Sequence, residues 1–577
     1  MKRRPLIIAT VIAVGFLIIF ARLAELMLFD HEKLLRLATI QHTKGQNILV
    51  RRGGIYDRRG RELAVSLDRL SLYGDPSMID SPEYVARRLS RVIKTNKSTL
   101  RNKLKEEKKR YVSLARRVSP EQAVAVLKLK LKGIGIEPDS ERFYPKGFLA
   151  SHVLGFIDID NRGREGVEKR YDSALTADGG RIYLARDARG NILYRGDDYE
   201  SIGNSIVLTI DEGLQYIVES ELESAVKKWK SQSATAIMMD PHTGEILALA
   251  NRPTFDPNKP GAYRAANRRN RAVTDLYEPG STFKIVMAAA ALEEKIATLN
   301  TEVDCSEGEI EVGGKKIRDT HKHGILTLRE IIQKSSNVGA VKMTLKLGPE
   351  RFYKYAKVFG FGERTGIDLT GEVSGVVKPP QRWSGTTIGA MAIGYEVLVS
   401  PLQVLRAYSV IANGGYLVRP YVVAKTLGPD GRVLQQENRP ERVRVISGET
   451  VKRLREAFVT VTEEGGTAPR ASVYGNTVAG KTGTSRMIDP RTGRYSRRDF
   501  VSSFVGFVPA DDPLFAIIVV IWKPRGEYYG GQVAAPVFRA IAEKALTYRF
   551  IPMEDRGDNN ILVMGQPVRG GQESQDF

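Results

Sequence analysis

A serine and a lysine stand one helical turn apart in the segment Glu278-Pro-Gly-Ser-Thr-Phe-Lys284. An apolar run that predicts a helix follows, so Ser281 and Lys284 lie on one face and can touch. A serine hydroxyl becomes a nucleophile when a base takes its proton, and lysine is such a base when burial or a nearby cation lowers its pKa. The free N–H groups at a helix start also favour a developing oxyanion. The spacing therefore suits acyl transfer, although a second Ser-x-x-Lys, Ser224 to Lys227, is predicted to lie on the surface of an amphipathic helix.

Two further motifs follow, and each occurs once in the chain. Ser335-Ser-Asn337 lies between two helical patterns, and Lys481-Thr-Gly-Thr484 lies on a strand pattern that leads into a C-terminal hairpin. Alone, the first motif is typical of a helix cap and the second of a strand end. Together, Ser-x-x-Lys, Ser-x-Asn and Lys-Thr-Gly form the motif set of penicillin-binding proteins and serine β-lactamases, which the chain therefore resembles.

This resemblance implies a role for each motif residue. Ser281 would attack the carbonyl carbon of a D-Ala-D-Ala stem peptide with Lys284 as the base, although which group accepts the proton stays open. Ser335 would relay that proton to the leaving D-alanine, and Lys481 would hold the relay. Asn337 would orient the first lysine and bind the substrate amide.

The strand that carries the third motif is implied to bind substrate. On a strand, Thr482 and Thr484 point to one side, and their hydroxyls beside the Lys481 charge suit the terminal carboxylate. Gly483 would let the substrate backbone lie close, like an added strand. The N–H groups of Ser281 and Thr484 would form an oxyanion hole. β-Lactams would be covalent inhibitors at the same serine.

The N-terminus predicts a membrane anchor. Met1–Arg4 is basic and precedes seventeen uncharged residues, Pro5–Ala21. This length is near the minimum for a spanning helix, and no cleavage site follows. We therefore expect residues 1–4 in the cytoplasm, a single-pass signal anchor at residues 5–28 in the inner (cytoplasmic) membrane, and the rest on the periplasmic or extracytoplasmic side.

The remaining sequence predicts two domains and a tail. Residues 45–203 combine β-like runs and Gly/Arg/Asp turns with a charged helical segment near residues 82–132. Residues 204–549 show strand hairpins that enclose helical patterns, which is typical of an α+β domain. The polar, Gly/Gln-rich residues 555–577 are predicted to be disordered.

Composition argues against several other functions. The formal net charge of +21 raises the question of nucleic acid, but no nucleic-acid-binding signature is present and the charge is spread along the chain. We therefore expect a solvated basic face near an anionic surface and no nucleic acid. His321 and His323 are the closest of six histidines and have no third ligand nearby in sequence, so no metal and no other cofactor is expected. The single cysteine, Cys305, excludes an intramolecular disulfide.

Further segments resemble the class B, monofunctional penicillin-binding proteins. Arg51–Ala64, Arg142–Phe156 and Gly163–Asp172 are similar to signatures of that family's non-catalytic, dimerisation-type pedestal, and we expect a structural role for them. Ala392–Gln403 also fits, with Ser400 as a helix cap. The resemblance implies an α+β transpeptidase domain, an antiparallel sheet with a helical subdomain, on an elongated N-terminal pedestal preceded by a single transmembrane helix.

Within that class, Glu278 and the segments around the first two motifs resemble the cell-division (FtsI) type. This implies cross-linking of septal peptidoglycan, with a SEDS-family glycan polymerase (FtsW type) and other division proteins as partners. An elongation-type transpeptidase and a catalytically dispensable division scaffold are the alternatives. A bifunctional synthase, a β-lactamase and a β-lactam sensor are disfavoured, because we identify no glycosyltransferase domain, no Glu-x-x-Leu-Asn loop and no cytoplasmic signalling segment.

Overall fold

The fold is taken from a computed structural model that describes residues 14–17, 20, 43–47, 50–106, 109–176, 181–186, 192–194, 201–437 and 442–550. The chain divides into two compact units. Unit 1 consists of Met1–Arg51, Asp68–Ser140 and Thr176–Gly203, and unit 2 consists of Arg52–Leu67, Glu141–Leu175 and Asn204–Phe577. Unit 2 therefore includes two segments from the range 45–203.

Unit 1 contains strands and helices that pack around a small apolar core. Its helices are Pro82–Ile93, Lys97–Leu104 and Pro120–Lys128, with a 3-10 turn at Pro76–Met78. Its strands are Thr43–Asn47, Val50–Arg51, Val112–Val118, Arg181–Arg186, Ile192–Tyr194 and Ser201–Ile202, with parts of Glu62–Gly74 and Ile134–Phe143. Leu72, Leu89 and Leu114 are among its buried core residues. The strand Val112–Val118 interrupts the helical segment expected near residues 82–132, because its residues pair with Leu70–Gly74.

The predicted anchor and tail fall largely outside the described residues. Residues 14–17 and 20 of the anchor are helical, and residues 555–577 are not described. In the part of the chain that the structure describes, no helix is both long and apolar enough to cross a membrane.

Unit 2 is built around a five-stranded antiparallel sheet. Its strands are β1 (Ser233–Met239), β2 (Ile246–Arg252), β3 (Ala479–Ile488), β4 (Tyr495–Val508) and β5 (Phe515–Trp522). The spatial order is β2-β1-β5-β4-β3, which leaves β3 at one edge. Strands β1 and β2 pair antiparallel as a hairpin, the type of element predicted for this domain. Every residue of β1, β2 and β5 is buried, as expected for strands covered on both faces.

Helices pack on this sheet and form a helical region beside it. The main helices are α1 (Glu212–Trp229), α2 (Lys284–Glu293), α3 (Asn337–Leu347), α4 (Pro401–Ala412) and α5 (Ala535–Phe550). The others are Ser151–Leu154, Gly166–Arg170, Asp172–Leu175, Ala265–Arg268, Arg271–Thr274, Leu328–Gln333, Pro349–Val358, Thr387–Ala392, Gly448–Val459 and Gly530–Val533, with 3-10 turns at Pro260–Ala262, Gly280–Phe283, Pro380–Arg382 and Pro469–Ala471. The predicted cap of α4 is confirmed, because Ser400 and Gln403 bond to each other's backbone N–H.

Shorter strands complete unit 2. They are Ile55–Tyr56, Ser205–Leu208, Val423–Leu427, Val433–Gln436, Glu302–Asp304, Glu309–Val312, Lys315–Arg318, Ile325–Thr327, Tyr416–Leu417 and Val443–Arg444. The strand Ser205–Leu208 pairs in parallel with Ile55–Tyr56 and antiparallel with Val423–Leu427. Lys315–Arg318 forms an antiparallel hairpin with Glu309–Val312.

A buried ion network joins the signature segments within unit 2. Glu168 accepts hydrogen bonds from Arg52 Nε at 2.6 Å and Arg142 Nε at 2.7 Å, and all three side chains are at most 3% exposed. Arg142 also donates to the carbonyl of Gly53 at 2.7 Å. Asp172 pairs with Arg52 at 2.7 Å. Because none of these residues lines the cleft described below, their contacts fit the structural role expected for the signature segments.

Candidate active site

The predicted site residues meet at one cleft of unit 2. The cleft has a volume of ≈ 1050 Å³, and its walls include Ser281, Ser335, Asn337, Thr482 and Thr484. The other three predicted residues, Lys284, Lys481 and Gly483, are buried behind this wall. The three motifs are therefore neighbours in space although about 200 residues separate the first from the last.

A tight turn presents Ser281 at the cleft. The first turn of the predicted helix is a 3-10 turn, Gly280–Phe283, and the α-helix α2 begins at Lys284. Gly280 has φ +58°, and a Cβ there would lie 2.9 Å from the carbonyl oxygen of Thr484 on strand β3. Only glycine adopts this conformation readily and lets the two backbones approach so closely. The turn and the strand of the third motif are thus held together.

Lys284 is buried and is held by the second motif. Its Nζ donates to Ser335 O at 2.6 Å, Ser335 Oγ at 3.3 Å, Ser336 O at 3.0 Å and Asn337 Oδ1 at 2.9 Å. Burial lowers the pKa of Lys284 to about 7, and the Asp319 carboxylate opposes this shift. Among the described residues, its Nζ makes no hydrogen bond with Ser281. The structure therefore brings this lysine together with Ser335 and Asn337.

Asp319 is a site residue that the sequence analysis missed. Its carboxylate accepts hydrogen bonds from Ser336 Oγ at 2.7 Å, from Val338 N at 3.1 Å and from Asn337 N at the start of helix α3. A carboxylate at a helix N-terminus satisfies free N–H groups and interacts favourably with the helix dipole. No local pattern indicates this contact, because Asp319 precedes the helix by many residues.

The backbone of the second motif has an uncommon conformation. Ser335 has φ +58°, in the left-handed region that costs a residue with a Cβ free energy. Ser336 then caps α3 by accepting a hydrogen bond from Gly339 N at 3.0 Å. Asn337 donates from Nδ2 to Arg318 O at 2.9 Å, which orients its Oδ1 toward the lysine. A strained residue at a cleft held by such contacts is typical of a functional position.

Lys481 differs from the partner arrangement implied by the resemblance. It is 0% exposed, and its Nζ donates to Thr482 Oγ1 at 3.2 Å. Within the described part of the chain it makes no hydrogen bond with Ser335. Burial lowers the pKa of Lys481 well below its usual value, and the charge of Lys284 lowers it further. The lysine therefore contacts the cleft through the threonine beside it.

The two threonines of the third motif are held by backbone and side chains around them. Thr482 Oγ1 lies 2.9 Å from Thr467 Oγ1, and Thr484 Oγ1 accepts a hydrogen bond from Gly530 N at 3.0 Å. Thr467 also lines the cleft and was not identified from the sequence, in which it has no distinguishing pattern.

Gly483 faces protein atoms rather than the cleft. A Cβ at this position would lie 2.3 Å from Ser503 Oγ and 2.8 Å from Pro279 O. The resemblance implies that this glycine lets the substrate backbone lie close. In the structure, the glycine instead permits strand β3 to pack against β4 and the turn before Ser281, because the side-chain position is already filled.

Glu278 joins the nucleophile turn to the hairpin β3–β4. Its Oε1 accepts hydrogen bonds from Glu396 N at 2.8 Å and from the Tyr495 hydroxyl at 2.9 Å. Tyr495 packs edge-on against Tyr395, whose hydroxyl accepts a hydrogen bond from Arg486 N. Burial raises the pKa of Glu278. Both tyrosines line the cleft, so this carboxylate supports one of its walls.

Two other features singled out from the sequence are the second Ser-x-x-Lys and a histidine pair. Ser224, in the second Ser-x-x-Lys, is exposed on helix α1 and donates to Ser220 O at 3.0 Å, so its predicted surface position is confirmed. His321 and His323 line the cleft. Among the described residues no group of three or more His, Cys, Asp or Glu side chains is arranged to hold a metal ion.

Comparison with known proteins places both parts of the chain in one family. Residues 234–543 match the penicillin-binding protein transpeptidase domain, and residues 47–208 match the penicillin-binding protein dimerisation domain. Stage V sporulation protein D of Bacillus subtilis is 36% identical over 559 residues, which is 94% of this chain and 85% of that protein. Peptidoglycan D,D-transpeptidase FtsI of Escherichia coli is 33% identical over 565 residues, which is 96% of this chain and 93% of that protein.

A solved structure agrees with these matches. The crystal structure of penicillin-binding protein 3 from Mycobacterium tuberculosis, complexed with aztreonam, superimposes with a TM-score of 0.70 at 28% identity. The match covers 88% of this chain and 98% of that one. The α+β transpeptidase domain with an N-terminal dimerisation domain is thereby confirmed. The chain belongs to the class B penicillin-binding proteins, and it is a peptidoglycan D,D-transpeptidase of the serine type.

Proposed function

We propose that the chain cross-links peptidoglycan stem peptides through an acyl-enzyme on Ser281. The main observation in support is the single cleft lined by Ser281, Ser335, Asn337, Thr482 and Thr484. The serine oxygen attacks the carbonyl carbon of the penultimate D-alanine, the peptide bond breaks, and the terminal D-alanine leaves as a free amine. The amine of a second stem peptide then attacks the acyl-serine ester and frees the serine.

Lys284 is the proposed base for Ser281. A pKa of about 7 leaves a large neutral fraction of this lysine at neutral pH, which can accept the serine proton. Its present hydrogen bonds go to Ser335 and its neighbours, so substrate binding must replace one of them with the serine hydroxyl. Catalytic contacts often tighten only at that stage. The 3.3 Å distance between Ser335 Oγ and the lysine Nζ supports a relay to the leaving amine.

The substrate is proposed to bind along strand β3. The hydroxyls of Thr482 and Thr484 bind the terminal carboxylate, and Lys481 orients the first of them through its hydrogen bond. Asn337 binds the substrate amide and holds the base, as its 2.9 Å bond to the lysine suggests. Gly483 packs the strand against the nucleophile turn.

The oxyanion hole is proposed to consist of the N–H groups of Ser281 and Thr484. The close approach of Gly280 to the Thr484 backbone supports this pairing. Such donors contribute about 10²–10³ in rate each. β-Lactams follow the same route, and they acylate Ser281 because their strained amide carbonyl occupies the position of the substrate carbonyl.

Labelling with a fluorescent penicillin tests the acyl-enzyme. The full chain in detergent is incubated with the label and separated on a denaturing gel beside Ser281→Ala and Ser224→Ala. We expect a stable label on the parent and on Ser224→Ala, and none on Ser281→Ala. The Ser224 variant is a matched control, because it removes an exposed serine from the same short motif. A label that persists in a folded Ser281→Ala would refute the assignment.

We further propose that the chain acts in septal wall synthesis from the inner membrane. The basic Met1–Arg4 and the uncharged run Pro5–Ala21 support a single-pass anchor at residues 5–28 with the catalytic domain outside. Residues 45–203, 204–549 and 555–577 form the pedestal, the transpeptidase domain and the tail in this proposal. Similarity to FtsI supports a division role, with a SEDS-family polymerase (FtsW type) and other division proteins as partners. The anchor and pedestal are the surfaces expected to meet them.

Depletion of the protein in its host tests this role. Cells that form filaments on depletion and divide again with the parent gene, but not with Ser281→Ala, would support a catalytic division function. Rounded cells would indicate the elongation type, and full rescue by Ser281→Ala would indicate a scaffold. The proposed polymerase partner is tested by copurification with the full chain. We expect copurification to be lost when residues 5–28 are exchanged for an unrelated anchor.

A further inference from the structure

We propose that unit 1 docks on the surface of a bilayer that contains anionic phospholipid, through three arginines on one side of a helix. They are Arg87, Arg88 and Arg91 of the helix Pro82–Ile93, and we call them the arginine face. The inference rests on the proposed membrane anchor and is independent of the chemistry at Ser281. It gives unit 1 a second, reversible membrane contact.

The arginine face belongs to a strongly basic part of the chain. Residues 82–132 contain sixteen lysines and arginines and four aspartates and glutamates. This excess is more than half of the formal net charge of +21, although the segment is less than a tenth of the 577 residues. The whole segment lies in unit 1. An anionic partner is therefore attracted to this unit more strongly than to an average surface of the chain.

The arginine face lies opposite the buried side of its helix. The buried residues, which contribute to the core of unit 1, are Val85, Ala86, Leu89 and Ile93. At 3.6 residues per turn, the three arginines and Tyr84 fall on the other side, and all four side chains are exposed. Because the core uses the apolar side of the helix, this helix meets a partner through its charges and not by insertion.

The charge of the arginine face is not neutralised within the described part of the protein. Its three guanidinium groups form no salt bridge with any residue that the structure describes. The single acid of the same helix, Glu83, pairs instead with Lys97 at 2.5 Å and with Arg101 at 3.6 Å on the neighbouring helix. Three like charges within little more than one turn repel each other, and an anionic surface relieves that repulsion.

The side chains around the arginine face suit a membrane interface. The helix Pro120–Lys128 packs against the same helix, and Gln122 Nε2 donates to Val92 O at 3.4 Å. On its outer side Val124 and Leu127 are 49% and 60% exposed. Tyrosine and arginine, each with an apolar body and a polar end, are suited to the headgroup region of a bilayer. Exposed aliphatic side chains beside them favour a bilayer over an acidic polypeptide, which complements the charges alone.

The proposed anchor holds unit 1 close to the bilayer. The anchor ends at residue 28, and the first described strand of unit 1 begins at Thr43. The intervening residues span at most about 50 Å when fully extended. Such a tether makes docking an intramolecular event, so a modest electrostatic attraction is sufficient to populate the docked state.

Energy transfer from unit 1 to the lipid tests the proposal with the full chain in proteoliposomes. The donor dye is attached through Asn102→Cys in a Cys305→Ser background, because Asn102 is exposed on the neighbouring helix and Cys305 is the only cysteine. The acceptor is a headgroup-labelled lipid. We expect more transfer in vesicles with about 30% phosphatidylglycerol than in pure phosphatidylcholine. Raising NaCl from about 0.05 M to about 0.5 M should remove the difference, because salt screens exposed charges.

Charge-removing variants connect this response to the arginine face. The triple variant Arg87→Gln, Arg88→Gln, Arg91→Gln should lower the docking equilibrium constant about 10²-fold, because each cation at an anionic surface contributes a factor of about five.

A control triple variant removes the same charge elsewhere. The substitutions Lys346→Gln, Lys452→Gln and Arg470→Gln change exposed residues of unit 2 that form no salt bridge in the described part of the chain, and the variant should keep the parent response. Both triple variants should retain penicillin labelling, because none of the substituted residues lines the cleft.

Three results would overturn the proposal: equal transfer in the two kinds of vesicle, an unchanged response of the arginine variant, or an equal loss in the control variant. Binding of a polyglutamate peptide without any response to phosphatidylglycerol would also overturn it, in favour of an acidic protein partner. Flotation with vesicles at high salt tests the anchor separately. A chain that floats but does not discriminate between the lipids refutes the arginine face alone, whereas a chain that does not float refutes the proposed anchor.

Discussion

The most informative prediction concerns the pH dependence of acylation, because one buried lysine is proposed to carry the proton. Burial lowers the pKa of Lys284 to about 7. Only its neutral form can accept the Ser281 proton, so the acylation rate should rise as pH increases through that value. With a pKa of about 7, the neutral fraction rises from about 9% at pH 6 to about 91% at pH 8. The structure therefore predicts an increase of about tenfold over this range.

The assay is the second-order rate constant for labelling by a fluorescent penicillin, measured from pH 5.5 to pH 9. Asp319→Asn provides the directional test. The Asp319 carboxylate favours the charged lysine, so its neutralisation should lower the lysine pKa and move the profile to lower pH. An asparagine keeps an oxygen that can accept a hydrogen bond from the helix start. Asp512→Asn removes an exposed carboxylate and should leave the profile unchanged.

A flat profile, or a rate that falls between pH 6 and pH 8, would refute Lys284 as the base. A profile that moves to higher pH in Asp319→Asn would contradict the electrostatic argument. Circular dichroism of each variant at both ends of the range separates these outcomes from unfolding.

Three further predictions concern packing and burial. Gly280→Ala should lower stability by about 1–3 kcal/mol and abolish penicillin labelling, because the new Cβ would lie 2.9 Å from Thr484 O; thermal unfolding and gel labelling check this, and an unchanged label would contradict it. Lys481→Met should raise the melting temperature by about 2 °C or more, because it removes a fully buried amine that makes few hydrogen bonds. The same variant should reduce penicillin labelling. A lower melting temperature would contradict the stability argument. Glu168→Ala should cost about 3–5 kcal/mol in denaturant unfolding, because two buried arginines lose their carboxylate, and labelling of the remaining folded protein should persist.

Much of the site could be predicted because its signals are local. Ser281 and Lys284 are separated by one turn, and the alternation along strand β3 indicated that Thr482 and Thr484 share a face, as the cleft lining bears out. The cap at Ser400 followed from a serine directly before Pro401, residue types that are favoured at a helix cap and in the first turn. Hydrophobic period and short-range hydrogen bonding decide such features, so a window of about ten residues contains the needed information.

Long-range packing decided the rest. Asp319 accepts hydrogen bonds at the start of helix α3. The space where Gly483 would carry a side chain is occupied by atoms of Ser503 and Pro279. Lys481 donates a hydrogen bond to Thr482 and not to Ser335. No local pattern encodes these contacts, because each depends on where distant segments meet in the folded chain.

The residue types at the cleft, and hence the class of chemistry, follow from the primary structure. Side-chain identity and spacing are enough to recognise a nucleophile, a base and a carboxylate-binding strand. The reactivity of those groups comes from the folded state alone. The pKa of Lys284 falls because burial removes water from its ammonium group, and the charge of Asp319 acts on this lysine because the fold brings the two residues together. Desolvation and the direction of each side chain exist only after distant segments have packed together.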